Sequence, residues 1–315
     1  MKTVICGLWH VHAGQYFRVA AKHTEVLGVW DSDPVRLANF CKRFETKAFA
    51  SMEELLRSGA DAAIVCTSSD THKETIVRLA DAKMDIFTEK VLALTTPECE
   101  EIEEAINRNG VKFAISLFHK FSAGAIAAKK IVDSGELGKI NFVRYRNVHN
   151  GSTGNWLPPH FYNAKECGGG AMIDLGAHGM YMIDWLVGMP IAAKSVFTNA
   201  CDDEAVKKIN PDGVEDNAVT VLQYANGCIA INETGFDSVG YPVILEVGGE
   251  KGRLYFDEKK LIKYTSTDDK TVEVELGEDQ PIPVEQFCMG QIPEGCGLPE
   301  AKNLTKLMEM AYGRI

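Results

Sequence analysis

Short apolar runs alternate with amphipathic stretches through the first third of the chain. Residues 3–7 (TVICG) form a β-rich run, residues 12–22 carry apolar positions at helical spacing, and residues 25–30 (EVLGVW) read as a second strand stopped by Asp31-Ser32-Asp33-Pro34. Pro34 suits the first turn of a helix capped by Asp33, which extends to about Phe44. A short strand follows at Ala48-Phe49, then a helix over 51–58 with Ser51 as cap and Glu54 three residues on. The alternation continues with a strand over 62–66, a helix over 71–81, a strand over 84–88, an acidic helix over 97–109 and a strand over 111–116. This order predicts a parallel, doubly wound sheet that binds ligands at the carboxyl ends of its strands.

The rhythm changes after about residue 118. A helix over 123–134, ended by Gly135, precedes strand-like runs at 140–148, 191–198, 218–224, 228–234, 243–248, 252–256, 261–264 and 271–275. Asn226-Gly227 between two of them is a strong hairpin signal. This half reads as a largely antiparallel sheet with helices on one face, interrupted by helix only around 168–188 and closed by a helix over 301–312.

Composition narrows the class. The chain has 315 residues, enough for two domains, and its 45% hydrophobic and 24% charged content is that of a soluble globular protein. A net charge of −11, with acids and bases interleaved, argues against nucleic acid or an anionic membrane as partner. No apolar segment approaches the ~20 residues of a membrane span, and the N-terminal apolar run is too brief for a signal peptide. The nine cysteines are scattered singly and read as reduced thiols, so a cytoplasmic protein is expected.

Residues 168–188, GGGAMIDLGAHGMYMIDWLVG, carry the first candidate chemistry. Each of Gly168, Gly169 and Gly170 would cost a helix interior about 1 kcal/mol relative to Ala, so they predict a loop. Asp174 and His178 then lie four positions apart on one face of an apolar helix. Gly176 and Gly179 keep that region thin, so that a ligand or another backbone can approach. The two polar groups read either as a helix-start carboxylate beside a satisfied core histidine or as a proton-transfer pair.

The strand ends carry the rest. Gly7-Leu8-Trp9-His10-Val11-His12 occupies the turn where a dinucleotide-binding unit has Gly-x-Gly-x-x-Gly; only Gly7 matches, with Trp9 and His12 in place of the later glycines. Asp31 lies 24 residues after Gly7 (31 minus 7), where an acid accepts hydrogen bonds from an adenine ribose and repels a 2′-phosphate, favouring NAD over NADP; it equally starts a turn. His10 and His12 also form a His-x-His pair of the kind some metal hydrolases use, although the remaining histidines offer no second pair and a metal is not expected. Thr67, Ser68 and His72 follow the strand over 62–66 and either line a nucleotide site or lead into the next helix with Ser69 or Asp70 as cap. Glu89 and Lys90 end the strand over 84–88, and a Lys there can donate a proton or orient a substrate oxygen.

Taken together these motifs resemble the Gfo/Idh/MocA oxidoreductases almost end to end. The family's Glu-Lys-Pro appears as Glu89-Lys90-Val91, and its Gly-Gly-Gly…Asp-x-Gly-x-His…Asp stretch as Gly168-Gly169-Gly170, Asp174, Gly176, His178 and Asp184. Lesser matches are Ser134-Gly135-Glu136-Leu137-Gly138-Lys139, Glu215-Asp216-Asn217-Ala218 and Gly249-Glu250-Lys251-Gly252. The resemblance implies a Rossmann domain over 1–118 and an α+β substrate-binding and oligomerisation domain over 119–315. It implies hydride transfer between NAD(H) and a secondary alcohol or ketone of a sugar, inositol or related polyol. Lys90, Asp174 and His178 become catalytic: His178 moves the hydroxyl proton, while Lys90 and Asp174 position that hydroxyl. Gly7, Trp9, His10, His12, Asp31, Thr67, Ser68, His72, Glu89 and Lys90 are the candidate cofactor residues.

His149, Trp156, His160 and Tyr162, with Asn147 and Asn155, are candidate substrate residues, and a homodimer or homotetramer is implied. Two departures mark the chain. Val91 replaces the family's proline, and a non-proline cis bond costs ~2.5–4 kcal/mol, so Lys90 is expected to point differently if that proline is normally cis. Trp9 would crowd a pyrophosphate unless the loop is displaced. The alternative is therefore a non-catalytic, sugar- or nucleotide-binding relative of the same fold.

Overall fold

Five short strands form a wholly parallel sheet: β1 (Lys2–Cys6), β2 (Glu25–Trp30), β3 (Ala62–Val65), β4 (Asp85–Thr88) and β5 (Phe113–Ile115), in the order β2-β1-β3-β4-β5. Helices α1 (Ala13–His23), α2 (Pro34–Phe44), α3 (Met52–Leu56), α4 (His72–Asp81) and α5 (Thr96–Asn109) connect them. The computed structural model describes residues 1–239 and 243–315. Strand β3 is buried along its whole length, as a strand covered on both faces requires.

Local chemistry sets the helix starts. Asp33 accepts from the backbone N–H groups of Val35 and Arg36 ahead of Pro34, and Ser51 accepts from Glu54 N–H. The helix at 71–81 starts differently from expectation. A 3-10 turn, Ser69–Thr71, leads into α4, and Ser68 Oγ donates to Asp70 Oδ1 at 2.6 Å. Asp70 therefore closes the turn, and neither it nor Ser69 caps the helix.

The chain divides into two units: Met1–Leu117 with Pro281–Thr305, and Phe118–Gln280 with Lys306–Ile315. The return of 281–305 to the first unit differs from a simple cut at 118/119. Its short helix Pro283–Cys288 supplies Val284, Phe287 and Cys288 to the core that holds Ile5, Tyr16, Phe17 and Phe87.

The second unit begins with α6 (Ala123–Ser134), stopped by Gly135 at φ +75°. Its eight strands are β6 (Ile140–Val148), β7 (Ala192–Thr198), β8 (Asn217–Gln223), β9 (Ile229–Gly235), β10 (Val243–Gly249), β11 (Gly252–Phe256), β12 (Leu261–Thr265) and β13 (Lys270–Val274). They run in the order β13-β12-β11-β10-β6-β9-β8-β7, and every pair is antiparallel except β6 with β9. Burial alternates along β8 and β10, so one face packs and the other is open. Helices α7 (Ala164–Cys167) and α8 (Ala177–Val187) fall near the expected interruption, but a further helix, Glu204–Ile209, lies outside it.

Candidate active site

The β1–α1 turn holds Gly7 for two reasons. Its φ is +85°, and a Cβ there would overlap Thr67. The turn is pinned by Gly7 N–H to the Trp30 carbonyl (2.8 Å) and His10 N–H to the Cys66 carbonyl (3.1 Å). Beside it, at the carboxyl ends of β1, β2 and β3, lies a cavity of about 160 Å³ bounded by Gly7, Trp9, Asp31, Arg36, Thr67 and Ser68, among others. This is the switch point of a 2-1-3-4-5 sheet, where such folds bind nucleotides. Trp9 is buried and forms part of the cavity wall, leaving this space open. The Thr67 hydroxyl, buried at the cavity, has no hydrogen-bond partner among the described residues. A buried hydroxyl of that kind fits the phosphate or ribose of a dinucleotide.

Asp31 is not an open acceptor. Its Oδ2 accepts from Leu8 N–H at 2.5 Å and its Oδ1 from Asp33 N–H at 2.7 Å. Arg36 Nη1 donates to both oxygens, at 3.2 and 3.3 Å.

Glu89 is buried at the end of β4 and gathers the neighbouring polar groups. His12 Nδ1 lies 2.7 Å and His10 Nδ1 3.6 Å from its Oε1, while the Lys90 N–H donates to Oε2 at 3.1 Å. Tyr16 donates its hydroxyl to Glu89 and also meets Ser116 Oγ at 2.7 Å. Burial alone would raise the Glu89 carboxyl, but the positive charges of His10, His12 and Lys90 outweigh it and hold it well below the usual carboxylate range. The same burial, with Glu89 alongside, pushes the Tyr16 phenol up.

His10, His12 and Glu89 also bring three ligand-capable atoms within 4.8 Å of one another. His72 is buried, with Nδ1 2.8 Å from the Val91 carbonyl and Nε2 3.1 Å from the Thr67 carbonyl. It holds two backbone segments in place. Lys90 is buried, and the Lys90–Val91 bond is cis, against the expectation drawn from valine chemistry.

In the second unit the glycine run packs on Glu215. Oε1 of Glu215 accepts from Gly170 N–H (3.0 Å), Met172 N–H (3.0 Å) and the Tyr312 hydroxyl (2.5 Å). A Cβ on Gly170 would overlap the Glu215 carbonyl, and one on Gly169 the Tyr312 hydroxyl. The thin face at Gly176 and Gly179 serves another element of the fold: Asn232 Nδ2 donates to the Gly176 carbonyl at 2.7 Å, and a Cβ on Gly179 would strike Asn232.

Asp174 and His178 do not share one regular α-helix. Residues Met172–Gly176 form a π-turn that feeds α8, a feature often found at functional sites. Asp174 is half-buried and His178 buried. His178 Nδ1 lies 2.9 Å from the Tyr181 hydroxyl, which accepts from His119 N–H at 3.2 Å. The His119 and His178 rings stand 4.6 Å apart, and His119 Nδ1 meets the Tyr145 hydroxyl at 3.1 Å. Sequence spacing gave no sign of Tyr181 or His119, because their approach depends on the turn Phe118–Phe121 reaching α8.

The candidate substrate residues scatter. Asn147 and Tyr162 are buried, and the Tyr162 hydroxyl bonds Ser152 Oγ at 2.6 Å. His149 stacks on Phe236 at 5.1 Å and accepts from Gly151 N–H. Trp156 is 53% exposed and donates to Asn150, while Asn155 adopts a left-handed φ of 52° and His160 is half-buried.

A parallel 2-1-3-4-5 sheet with a cavity at its switch point, followed by an open eight-stranded sheet, defines a two-unit Rossmann-type protein. Residues 1–117 match the model of the oxidoreductase family with an NAD-binding Rossmann fold, and residues 125–255 that of the GFO/IDH/MocA C-terminal domain. The chain belongs to the Gfo/Idh/MocA family of oxidoreductases.

It is 27% identical over 226 residues to myo-inositol 2-dehydrogenase of Thermotoga maritima, a match covering 71% of this chain and 65% of the relative. It is 26% identical over 204 residues to the NAD(+)-dependent scyllo-inositol 2-dehydrogenase of Bacillus subtilis, covering 64% and 57%. In fold it is similar to a levoglucosan dehydrogenase solved with NADH and levoglucosan, at a TM-score of 0.84 and 17% identity over 99% of this chain and 96% of that one. No described helix is long and apolar enough to cross a membrane.

Proposed function

We propose that the protein transfers a hydride between NAD(H) and a secondary alcohol or ketone of a sugar, inositol or related polyol. The observation that carries this reading is the switch-point cavity, with left-handed Gly7 on its rim and an unsatisfied Thr67 hydroxyl. Inositol dehydrogenases among the relatives support the substrate class. NAD, when bound, accepts the hydride.

The protein's part is placement and proton handling. His178 exchanges the proton of the substrate hydroxyl. Its Nδ1 lies 2.9 Å from the Tyr181 hydroxyl, which orients the ring for that task. Lys90 and Asp174 position the hydroxyl, and the Glu89 network fixes the backbone from which Lys90 projects. The Gly7–His12 turn, Thr67 and Ser68 line the dinucleotide, and His72 supports them from behind. His149, Trp156, His160 and Tyr162 contribute to the sugar side, Tyr162 from a buried position.

The open face of the second sheet exposes Val196, Val219, Val221 and Ile229 around ion pairs of Arg144 with Glu233 and Glu246. A mixed apolar and charged face of this kind suits a homodimer or homotetramer. All nine cysteines are free thiols, eight of them buried, which fits a cytoplasmic protein. The test is an initial-rate assay of NAD reduction against a panel of inositols, sugars and sugar acids. Turnover with one class, lost in Lys90→Ala, supports the reading. NADH binding without turnover on any of them favours a non-catalytic relative.

A further inference from the structure

We infer that His119, with the cavity beside it, carries the substrate's proton from His178 out to solvent. The inference rests on the dehydrogenase reading above. Oxidation of a secondary alcohol breaks its C–H and O–H bonds, sends the hydride to NAD and leaves one proton on His178. That histidine is buried, and it must lose the proton before it can act as a base again. Reduction of a ketone needs the same route in the opposite direction.

His119 is placed to take that proton. The centres of the two imidazole rings are 4.6 Å apart and their planes are inclined at 52°. His119 is half-buried, between buried His178 and the cavity that it lines. An imidazole titrates near neutral pH and has two nitrogens, so it binds a proton at one and releases a proton from the other. Nδ1 of His119 lies 3.1 Å from the Tyr145 hydroxyl. Burial, with Glu258 in range, pushes the Tyr145 phenol well up, so at neutral pH it passes protons as a hydroxyl and does not ionise.

The cavity completes the route. It measures about 150 Å³, and His119, Ser122, Tyr145 and Glu258 give its wall four polar side chains among apolar ones such as Met182 and Phe256. That is room and hydrogen-bonding capacity for several waters. Glu258 is exposed, in the turn after β11 with a left-handed φ of 69°, and links the cavity to solvent. Partial burial and the neighbouring Asp257 push its carboxyl up, so it takes a proton more readily than an ordinary carboxylate. On the other side, Tyr181 accepts from the His119 N–H and bonds His178. Lys120, next in the chain, holds its ammonium 5.8 Å from the ring centres of Tyr181 and Trp185.

The test is rapid-mixing and steady-state NAD reduction at neutral pH in HEPES, with an inositol, sugar or sugar acid that the wild type oxidises, repeated on His119→Ala and His119→Phe. Both variants should form the first NADH at the wild-type rate, because His178 can still accept one proton. Later turnovers should be slower by about tenfold or more, with KM little changed. Added imidazole, which fits the space left by the missing ring, should restore His119→Ala in a saturable way and leave His119→Phe slow. The Phe variant keeps an aromatic ring in place, so its behaviour reports proton transfer and not packing. Full steady-state turnover in His119→Phe would overturn the inference alone, as would a first turnover slowed in both variants with no response to imidazole. Failure of the wild type to reduce NAD with any of these substrates would overturn the dehydrogenase reading and this inference with it.

Discussion

The Glu89 carboxylate lies 2.7 Å from Nδ1 of His12 and so ties the end of β4 to the β1–α1 turn. Its other bonds reach Tyr16 and the Lys90 backbone, so one buried anion organises the turn, the first helix and the neighbourhood of Lys90. His12, which replaces the last expected glycine, and its neighbour His10 thereby acquire a structural explanation.

This arrangement has a pH signature. In the unfolded chain the Glu89 carboxyl titrates near its ordinary 4.5, and in the folded protein it lies lower. Below 4.5 the folded protein binds fewer protons than the unfolded chain, so stability rises with pH there. The contribution is fully present above 4.5 and is lost as pH falls through the folded value. Urea unfolding at neutral pH and at pH steps below 4.5 should show this loss, and Glu89→Gln should flatten it. An equally steep acid limb in the variant would assign the dependence to other groups.

The glycine run makes a packing prediction. Gly170→Ala places a methyl against the Glu215 carbonyl, and overpacking of this kind costs about 1–3 kcal/mol. Thermal unfolding should report it. Gly188→Ala, where a Cβ meets nothing within 4 Å, tests the strain of φ +81° without that overlap. An unchanged melting temperature for Gly170→Ala would mean that the loop shifts at little cost.

His178→Asn should lower kcat about 10²- to 10⁴-fold, the range for loss of a general acid–base group. NADH affinity should be kept. Tyr181→Phe should move the pH profile of kcat, because it removes the hydroxyl that hydrogen-bonds Nδ1 of the imidazole at 2.9 Å. Full activity in His178→Asn would remove that residue from the chemistry.

The His10–His12–Glu89 cluster separates a dehydrogenase from a metal hydrolase. A catalytic zinc takes about three protein ligands and keeps an open position. Here Glu89 Oε1 is already engaged by His12 and Tyr16. Elemental analysis of the purified protein should find no stoichiometric zinc or manganese. A stoichiometric metal, lost in His10→Ala, would favour the hydrolase.

Much of the fold was legible because local signals and tertiary structure agree. Asp33-Pro34, Ser51, Gly135 and Asn226-Gly227 each set a helix end or hairpin by chemistry confined to a few residues. What escaped depends on distant partners. The helix Pro283–Cys288 is too short to announce itself and is defined by packing of Val284 and Phe287 on the first unit's core. The π-turn at Met172–Gly176 keeps the spacing of Asp174 and His178 but changes the helix that carries them. Asp31 was recognisable as a strand-end acid, whereas its capture by Arg36 depends on how α2 folds back. Motif residues thus marked both candidate regions, and the second layer of tyrosines and arginines became visible only in three dimensions.

The central claim, a dinucleotide-dependent dehydrogenase, is tested most directly by titrating the purified protein with NADH while following tryptophan fluorescence, since Trp9 and Trp30 line the cavity. Saturable quenching, abolished by a side chain at Gly7 (Gly7→Val), is the predicted result. Absence of binding, confirmed by calorimetry, would contradict it.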